Sequence, residues 1–419
     1  MDNPIFAEVA MNENNAAWEQ AAARPGALYK RHTDFRSEFA RDYTRILHSN
    51  GYRRMKHKTQ VFFNAAGNDH ICTRMEHVAH VESVSSSIAR TLGLNDELTR
   101  AIAMAHDIGH APFGHEGEKA LSEITEKELG FKFWHERNGL RFVDYIELLP
   151  DPSDLKNNLD LTFAVRDGII SHCGEVDKNN LRPRTEDIDI TKDFYISGAY
   201  EASTWEGCVV KLADKIAYIG RDIEDAQLLG FITGEDEKIL REIAHRCRKD
   251  AVNTTVITHS MITDICSHSS PEKGLCFSDE MHDILTEIKQ FNYKHIYFNE
   301  RLKPYKDYSH LIIKDLYEYL AGFYPEGAGE DAYLRLIERL MPEAALHEFV
   351  KTFLEWICQY IDFDPSYEGC GRDYSKNCVN KKIYGKLQTR EIYAQAVIDF
   401  IAGMTDPYAE RAFRELLGC

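Results

Sequence analysis

The chain is short of several things, and each absence removes a class of function. No apolar run approaches the roughly 20 residues that a membrane-crossing helix needs. The opening residues, MDNPIFAEVAMNENN, are acidic and polar, which does not fit a secretory leader. The ten cysteines include no CxxC pair. With no export signal, they are expected to be reduced thiols in a cytoplasmic protein. Cys370 and Cys378 lie near each other in a polar stretch, a weak case for a second metal site. Positive charge is scarce: 50 Lys and Arg stand against 68 Asp and Glu, a net charge of −18. That argues against a general nucleic-acid coat, because phosphate-backbone binding needs a basic surface. There is no internal repeat, no low-complexity tract and no clear linker, and strand-like alternation is brief. Candidate strands are Val61–Asn64 and Ile188–Ile196, together a small β-hairpin at most.

Helical periodicity fills most of the rest. Residues 36–50 place Phe39, Tyr43, Ile46 and Leu47 on one stripe. Residues 73–92 do the same with His77, Val81, Val84 and Ile88, and Gly93 stops the helix. Asn95 fits the N-cap of a helix over 96–107. Further helices are expected near 116–129, 137–149, 160–173, 203–230, 235–249, 279–292, 308–322, 330–341, 343–363 and 389–417. Residues 174–193 look like a polar excursion. The reading is an all-α fold: an N-terminal segment 1–34, a core over 35–230 and a C-terminal helical region 231–419 packed on it. The helix 389–417 carries Ile392, Ala396, Ile398, Ile401 and Ala402 in a broad apolar band, expected to pack on the core and to help build a subunit interface.

The densest chemistry is in AMAHDIGHAPFGHEGEKAL, residues 103–121. His106, Asp107, His110, His115, Glu116 and Glu118 fall within thirteen positions, and His77 lies upstream. Imidazole with carboxylate is a divalent-metal ligand set, and Gly109, Pro112 and Gly114 break the helix into a turn. His77 faces inward on its stripe. Taken alone it is a core histidine or a ligand. His106 and Asp107 are neighbours, so they reach one ion only near a helix end. In CVVKLADKIAYIGRDIEDA, 208–226, apolar residues run almost all round, as in a buried helix. Yet Asp214, Tyr218 and Asp222 recur at i, i+4 and i+8. Either they form a buried functional stripe, or they form a surface stripe with Lys215 and Arg221 as salt partners. The basic run Arg53, Arg54, Lys56, His57, Lys58 is a solvated face or an anion-binding wall.

His77, His106–Asp107 and Asp214 match in order and spacing the H…HD…D signature of HD-domain metal phosphohydrolases. The wider segments FARDYTRILHSNGYRRMKHKTQVF, RMEHVAHVESVSSSIAR, AHDIGHAPFGHEGE, LTFAVRDGIISH, KLADKIAYIGRDIEDA and DFIAGMTDPYA resemble the deoxynucleoside triphosphate triphosphohydrolase, dGTPase-like, branch. The resemblance covers about 35–230 and 390–410, while 231–389 matches nothing recognisable. Where the branch often reads RTRLTH, this chain has CTRMEH, which leaves Arg74 and His77 in place.

The resemblance implies cleavage of a deoxynucleoside triphosphate, dGTP among the candidates, to deoxynucleoside and inorganic triphosphate. It implies one divalent ion per subunit, Mn²⁺ or Mg²⁺, on His77, His106, Asp107 and Asp214. It implies His115 as the acid–base residue, made a dyad by Glu118 at i+3. His110, His135, Arg74 and Lys215 would contact phosphates, Gln60 and Asp222 the 3′-hydroxyl, and Tyr218 the sugar ring where it excludes a 2′-hydroxyl. A homo-oligomer is expected, with a deoxynucleotide or single-stranded nucleic acid as candidate effector. The alternatives are another HD nucleotide phosphohydrolase, or a regulatory relative that senses nucleotide without turnover.

Overall fold

The computed structural model describes residues 4–26, 33–62, 68, 70–173, 179–246, 253–325 and 329–418. Among them are eighteen α-helices and one two-stranded antiparallel sheet, so the fold is all-α. The chain forms two compact units, each discontinuous in sequence. One comprises 1–47, 59–108 and 160–304; the other comprises 48–58, 109–159 and 305–419. The sequence boundaries at 34/35 and 230/231 do not coincide with this partition.

The first unit is built on four helices that pack on one another: Arg74–Leu92, Asp96–Ala105, Phe163–Ser171 and Trp205–Leu228. Their ends follow from local chemistry. Thr73 and Glu76 form a reciprocal capping box that satisfies the first free amides of Arg74–Leu92. Gly93 takes a left-handed φ of 84° to end it. Asn95 then caps the next helix. The Trp205–Leu228 helix is buried on nearly every side and lies against a helix the periodicity did not pick out, Thr254–His268. Gly220 permits that approach, since a Cβ there would stand 2.9 Å from the Thr254 Cα. Residues 4–26 belong to this unit. Phe6 is buried with its ring 5.0 Å from that of Trp205, and Arg24 is paired with Glu38 and Asp42.

In the second unit, Gly114–Leu129 packs against Arg390–Ala402, and Ala332–Ala344 pairs with Glu348–Ile357. Four expectations are corrected here or in the first unit. The stretch 36–50 is not one helix: Glu38–His48 ends, and Ser49 caps a new short helix, Asn50–Arg54. The stretch 137–149 holds the helix His135–Arg141, a π-turn over Phe142–Ile146 and then a strand. That strand, Leu148–Pro150, pairs with Lys156–Asn158, so the hairpin sits there rather than at 61–64 or 188–196. Val61 and Phe62 form a bend, Phe63 and Asn64 lie outside the described residues, and 188–196 is bends and turns. The segment 389–417 is two helices, Arg390–Ala402 and Asp406–Leu417, because Thr405 starts a fresh cap after Gly403. The apolar band of the first is already covered within the unit: Ala396, Ile398, Ile401 and Ala402 are buried.

Candidate metal centre and histidine turn

His77 lies one turn into Arg74–Leu92, His106 and Asp107 follow the C-terminus of Asp96–Ala105, and Asp214 is midway along Trp205–Leu228. Three helices that pack for apolar reasons thus bring four ligand-type side chains together. His77 Nε2 is 2.9 Å from Asp214 Oδ1 and 3.7 Å from Asp107 Oδ2. His106 Nε2 is 3.5 Å from Asp107 Oδ1 and 3.8 Å from Asp214 Oδ1. With metal–ligand bonds of about 2.0–2.2 Å, neighbouring donors on one ion stand about 3–4 Å apart, which these spacings match.

The tautomer fits as well. His106 Nδ1 donates to the Ala103 carbonyl at 2.7 Å, which leaves Nε2 a bare lone pair. That atom is buried and has no hydrogen-bond partner. An orphaned acceptor inside a protein is costly, and a cation beside two carboxylates resolves it. His77, His106 and Asp107 form a cluster with the spacing of a metal site. Burial works against a charged His77, but the hydrogen bond and charge of Asp214, with Asp107, outweigh it and hold its pKa above the usual value. Burial pushes the Asp214 carboxyl the other way, and the His77 hydrogen bond and charge keep it below the usual range.

The other expected residues of this unit are placed as follows. Arg74 is 2 % exposed, and its Nη1 donates to Asp107 Oδ2 at 2.6 Å. In this structure it therefore holds a metal-type carboxylate rather than standing open to a phosphate. Its Nη2 donates to the Gln60 carbonyl at 3.3 Å, while the Gln60 Oε1 is buried without a partner. Lys215 is buried and Tyr218 half-buried on the helix of Asp214.

Asp222 is 2 % exposed, which sets aside the surface-stripe alternative for it. Arg221 turns to Glu224 and Asp225 instead. Burial raises the Asp222 carboxyl to about 7, against the opposing hydrogen bond from Tyr297. Tyr297 Oη donates to Asp222 Oδ2 at 2.5 Å. It ends the π-turn Tyr293–Tyr297 and was missed in the sequence, where 75 residues separate it from its partner. An aromatic hydroxyl in a stretch without a recognised motif carries no signal of its own.

The second unit holds the rest. Gly109 lets His135–Arg141 reach the turn after the HD pair, since a Cβ there would stand 2.1 Å from the His135 carbonyl and the Gly139 nitrogen. Phe113 takes a left-handed φ of 64°, a conformation that costs a non-glycine residue about 1–2 kcal/mol. The His110 and His135 rings stack at 3.8 Å, and His115 stands edge-on to His110 at 5.5 Å.

Glu118 divides its oxygens differently from the expected dyad. Oε1 accepts the His135 amide at 3.1 Å, and Oε2 is 3.0 Å from His135 Nδ1 but 3.7 Å from His115 Nδ1. The side chain of His115 is 66 % exposed. Burial pushes Glu118 up, but the charge of His135 and the hydrogen bonds of His115 and His135 overcome it, so the carboxyl lies well below its usual range. The basic run is divided between interior and surface. Arg54 pairs with Glu147, and Lys58 Nζ donates to the carbonyls of His110 and Ala402, while Arg53, Lys56 and His57 are exposed.

Residues 74–219 match the HD domain, and 275–338 match the phosphohydrolase-associated domain, which places part of the stretch that resembled nothing. The chain is 36% identical over 296 residues to the deoxyguanosinetriphosphate triphosphohydrolase-like protein of Desulfatibacillum aliphaticivorans, covering 68% of this chain and 73% of that one. It is 30% identical to the protein of the same name from Caldanaerobacter subterraneus subsp. tengcongensis over 91% of this chain and 86% of that one. The Rickettsia canadensis protein of that name is 29% identical over 93% and 96%. The chain belongs to the HD-domain, dGTPase-like family. It is thereby a metal-dependent phosphohydrolase of the HD class. Among the described residues, no helix of this HD phosphohydrolase is long and apolar enough to cross a membrane.

Proposed function

We propose that the protein hydrolyses deoxynucleoside triphosphates, dGTP among them, to deoxynucleoside and inorganic triphosphate. The observation that carries the reading is the four-residue centre with the bare, buried Nε2 of His106. His77, His106, Asp107 and Asp214 would hold one divalent ion, Mn²⁺ or Mg²⁺. Such an ion, when bound, supplies Lewis acidity at the α-phosphate and a more acidic bound water.

The remaining chemistry falls to the chain's own groups. Arg74 holds Asp107 in place. Glu118 fixes the Nδ1–H tautomer of His135 and orders the stacked His110. His115, the exposed imidazole of that set, delivers a proton to the 5′-oxygen as the bond from phosphorus to O5′ breaks. Asp222, oriented by Tyr297, and Gln60, with its open Oε1, would take the sugar 3′-hydroxyl. Tyr218 lies between Asp214 and Asp222, about 6 Å along the helix from each at a rise of ~1.5 Å per residue. That is the place for a ring that denies space to a 2′-hydroxyl. Lys215 and His110 would meet phosphate oxygens. A homo-oligomer, a deoxynucleotide or single-stranded nucleic-acid effector and a cytoplasmic location belong to the same reading.

The test is an anion-exchange product profile for each deoxynucleoside triphosphate, singly and in pairs, with Mn²⁺ or Mg²⁺. Inorganic triphosphate in equal amount to deoxynucleoside is expected. Orthophosphate or pyrophosphate instead would make this a different HD phosphohydrolase, and no turnover with any of them would make it a sensor.

A further inference from the structure

The segment DFIAGMTDPYA, 399–409, has no part in the chemistry above, yet it reaches the histidine turn at three points. The Asp399 carboxylate accepts three contacts from Nε and Nη2 of Arg141, at the end of the His135–Arg141 helix, at 2.6–2.9 Å, and further bonds from the Tyr384 hydroxyl at 2.6 Å and Gln395 Nε2 at 2.8 Å. The Ala402 carbonyl accepts from the buried Lys58 ammonium at 3.1 Å, and the same ammonium donates to the His110 carbonyl. The Asp406 carboxylate accepts the Phe113 amide at 2.9 Å, in a contact buried from solvent. Phe113 is the residue with the left-handed backbone between His110 and His115. It heads the helix Gly114–Leu129 with no side-chain cap of its own. Asn138 Nδ2 donates to the Gly109 carbonyl of the same turn at 2.7 Å.

We propose that Asp406 is a positioning residue for the reaction: its carboxylate pins the strained Phe113 amide, and so sets the relative placement of His110 and His115. The proposal rests on the functional reading above for its consequence in turnover, but not for its geometry. A strained backbone persists only where its surroundings over-determine it. Here the determining groups are a charged acceptor on the amide and an ammonium shared between two carbonyls. Asp406 reaches the turn at the Phe113 amide, on the backbone that carries its rings. A displacement of about 1 Å in a catalytic group costs turnover on the order of 10²-fold.

The experiment compares Asp406→Ala, Asp406→Asn and Thr405→Ala in the full chain. Hydrogen exchange of the peptides spanning 109–117 is read beside kcat and KM for dGTP, with metal content and melting temperature as controls. Asp406→Ala is expected to lose protection in 109–117. Its kcat should fall by about 10–100-fold, while KM moves less than kcat and metal content is unchanged. Asp406→Asn, which keeps an acceptor of the same reach, is expected to retain most of both. Should the alanine variant fail to fold, Asp406→Ser, whose oxygen is one bond shorter, carries the same expectation. Thr405 caps the helix Asp406–Leu417 by accepting the Tyr408 amide at 3.3 Å. Thr405→Ala therefore loosens that helix without touching Phe113, and should leave exchange at 109–117 and kcat near wild type. Wild-type protection in Asp406→Ala, or a Thr405→Ala variant that reproduces its losses, would overturn the proposal. A wild-type protein that releases no triphosphate would defeat the functional reading alone, because the exchange measurement still decides the brace.

Discussion

Asp222 offers the sharpest quantitative test, because its burial has a consequence in stability that does not depend on any substrate. Its carboxyl is raised to about 7 by burial, from an unfolded value of 3.8. Between those two values the native chain binds a proton that the unfolded chain lacks, so unfolding stability falls as pH rises. The favourable state is fully present below pH 4, and the cost of the ionised carboxylate is fully present above pH 7. At 1.36 kcal/mol per pKa unit the difference is about 4 kcal/mol. Asp222→Asn removes the titration and keeps the shape and the acceptor for Tyr297 Oη. Urea unfolding followed by circular dichroism, with a chelator present, should show the variant gaining on wild type as pH rises. The gain should grow across pH 4–7 and level off at about 4 kcal/mol. Activity should move the opposite way: the stabilised variant should lose kcat/KM for substrates with a 3′-hydroxyl far more than for 2′,3′-dideoxy analogues. A stability difference that is flat with pH would refute the argument from burial. An equal loss for both substrate classes would remove Asp222 from the sugar.

Two further predictions concern the chemistry directly. Asp107→Ala and His106→Ala should lose bound metal and hydrolysis while keeping helical circular dichroism; full metal occupancy in both would sink the ligand assignment. His115→Ala should keep its metal and bind substrate but lose turnover by about 10²–10⁴-fold. Glu118→Ala should also disorder His135, visible as a changed tautomer in imidazole ¹⁵N spectra, and retention of the wild-type tautomer there would separate Glu118 from His135.

How much of this was legible in the sequence depended on which atoms make the contact. The clustering of His77, His106, Asp107 and Asp214 could be read because a metal-type ligand set uses particular residue types, and those types stand at intervals that helices bring together. The i, i+4, i+8 recurrence of Asp214, Tyr218 and Asp222 could be read for the same reason: one residue of the stripe fixes where the others lie. The partner of Asp222 could not be read. Tyr297 sits on a π-turn, which has no periodic signature and re-aims a side chain that an α-helical pattern would place elsewhere. The pairing of Glu118 was half legible. Its spacing from His115 put both on one helix face, but the approach of His135 depends on Gly109 having no Cβ where another helix crosses.

Backbone-mediated contacts were illegible altogether. Lys58 in YRRMKHK reads as part of a solvated face or an anion-binding wall, yet it is buried between two carbonyls whose residues are far apart in sequence. Residue types record side-chain chemistry, whereas a carbonyl or an amide is present at every position. The same reasoning applies to DFIAGMTDPYA, a segment that resembles the family without an evident reactive group. What it supplies is an acceptor and two anchor points for a backbone turn. On the proposed reading, imidazoles held on a strained loop depend on that support, so informative variants of this protein lie at Asp406 and Lys58 as well as at the histidines.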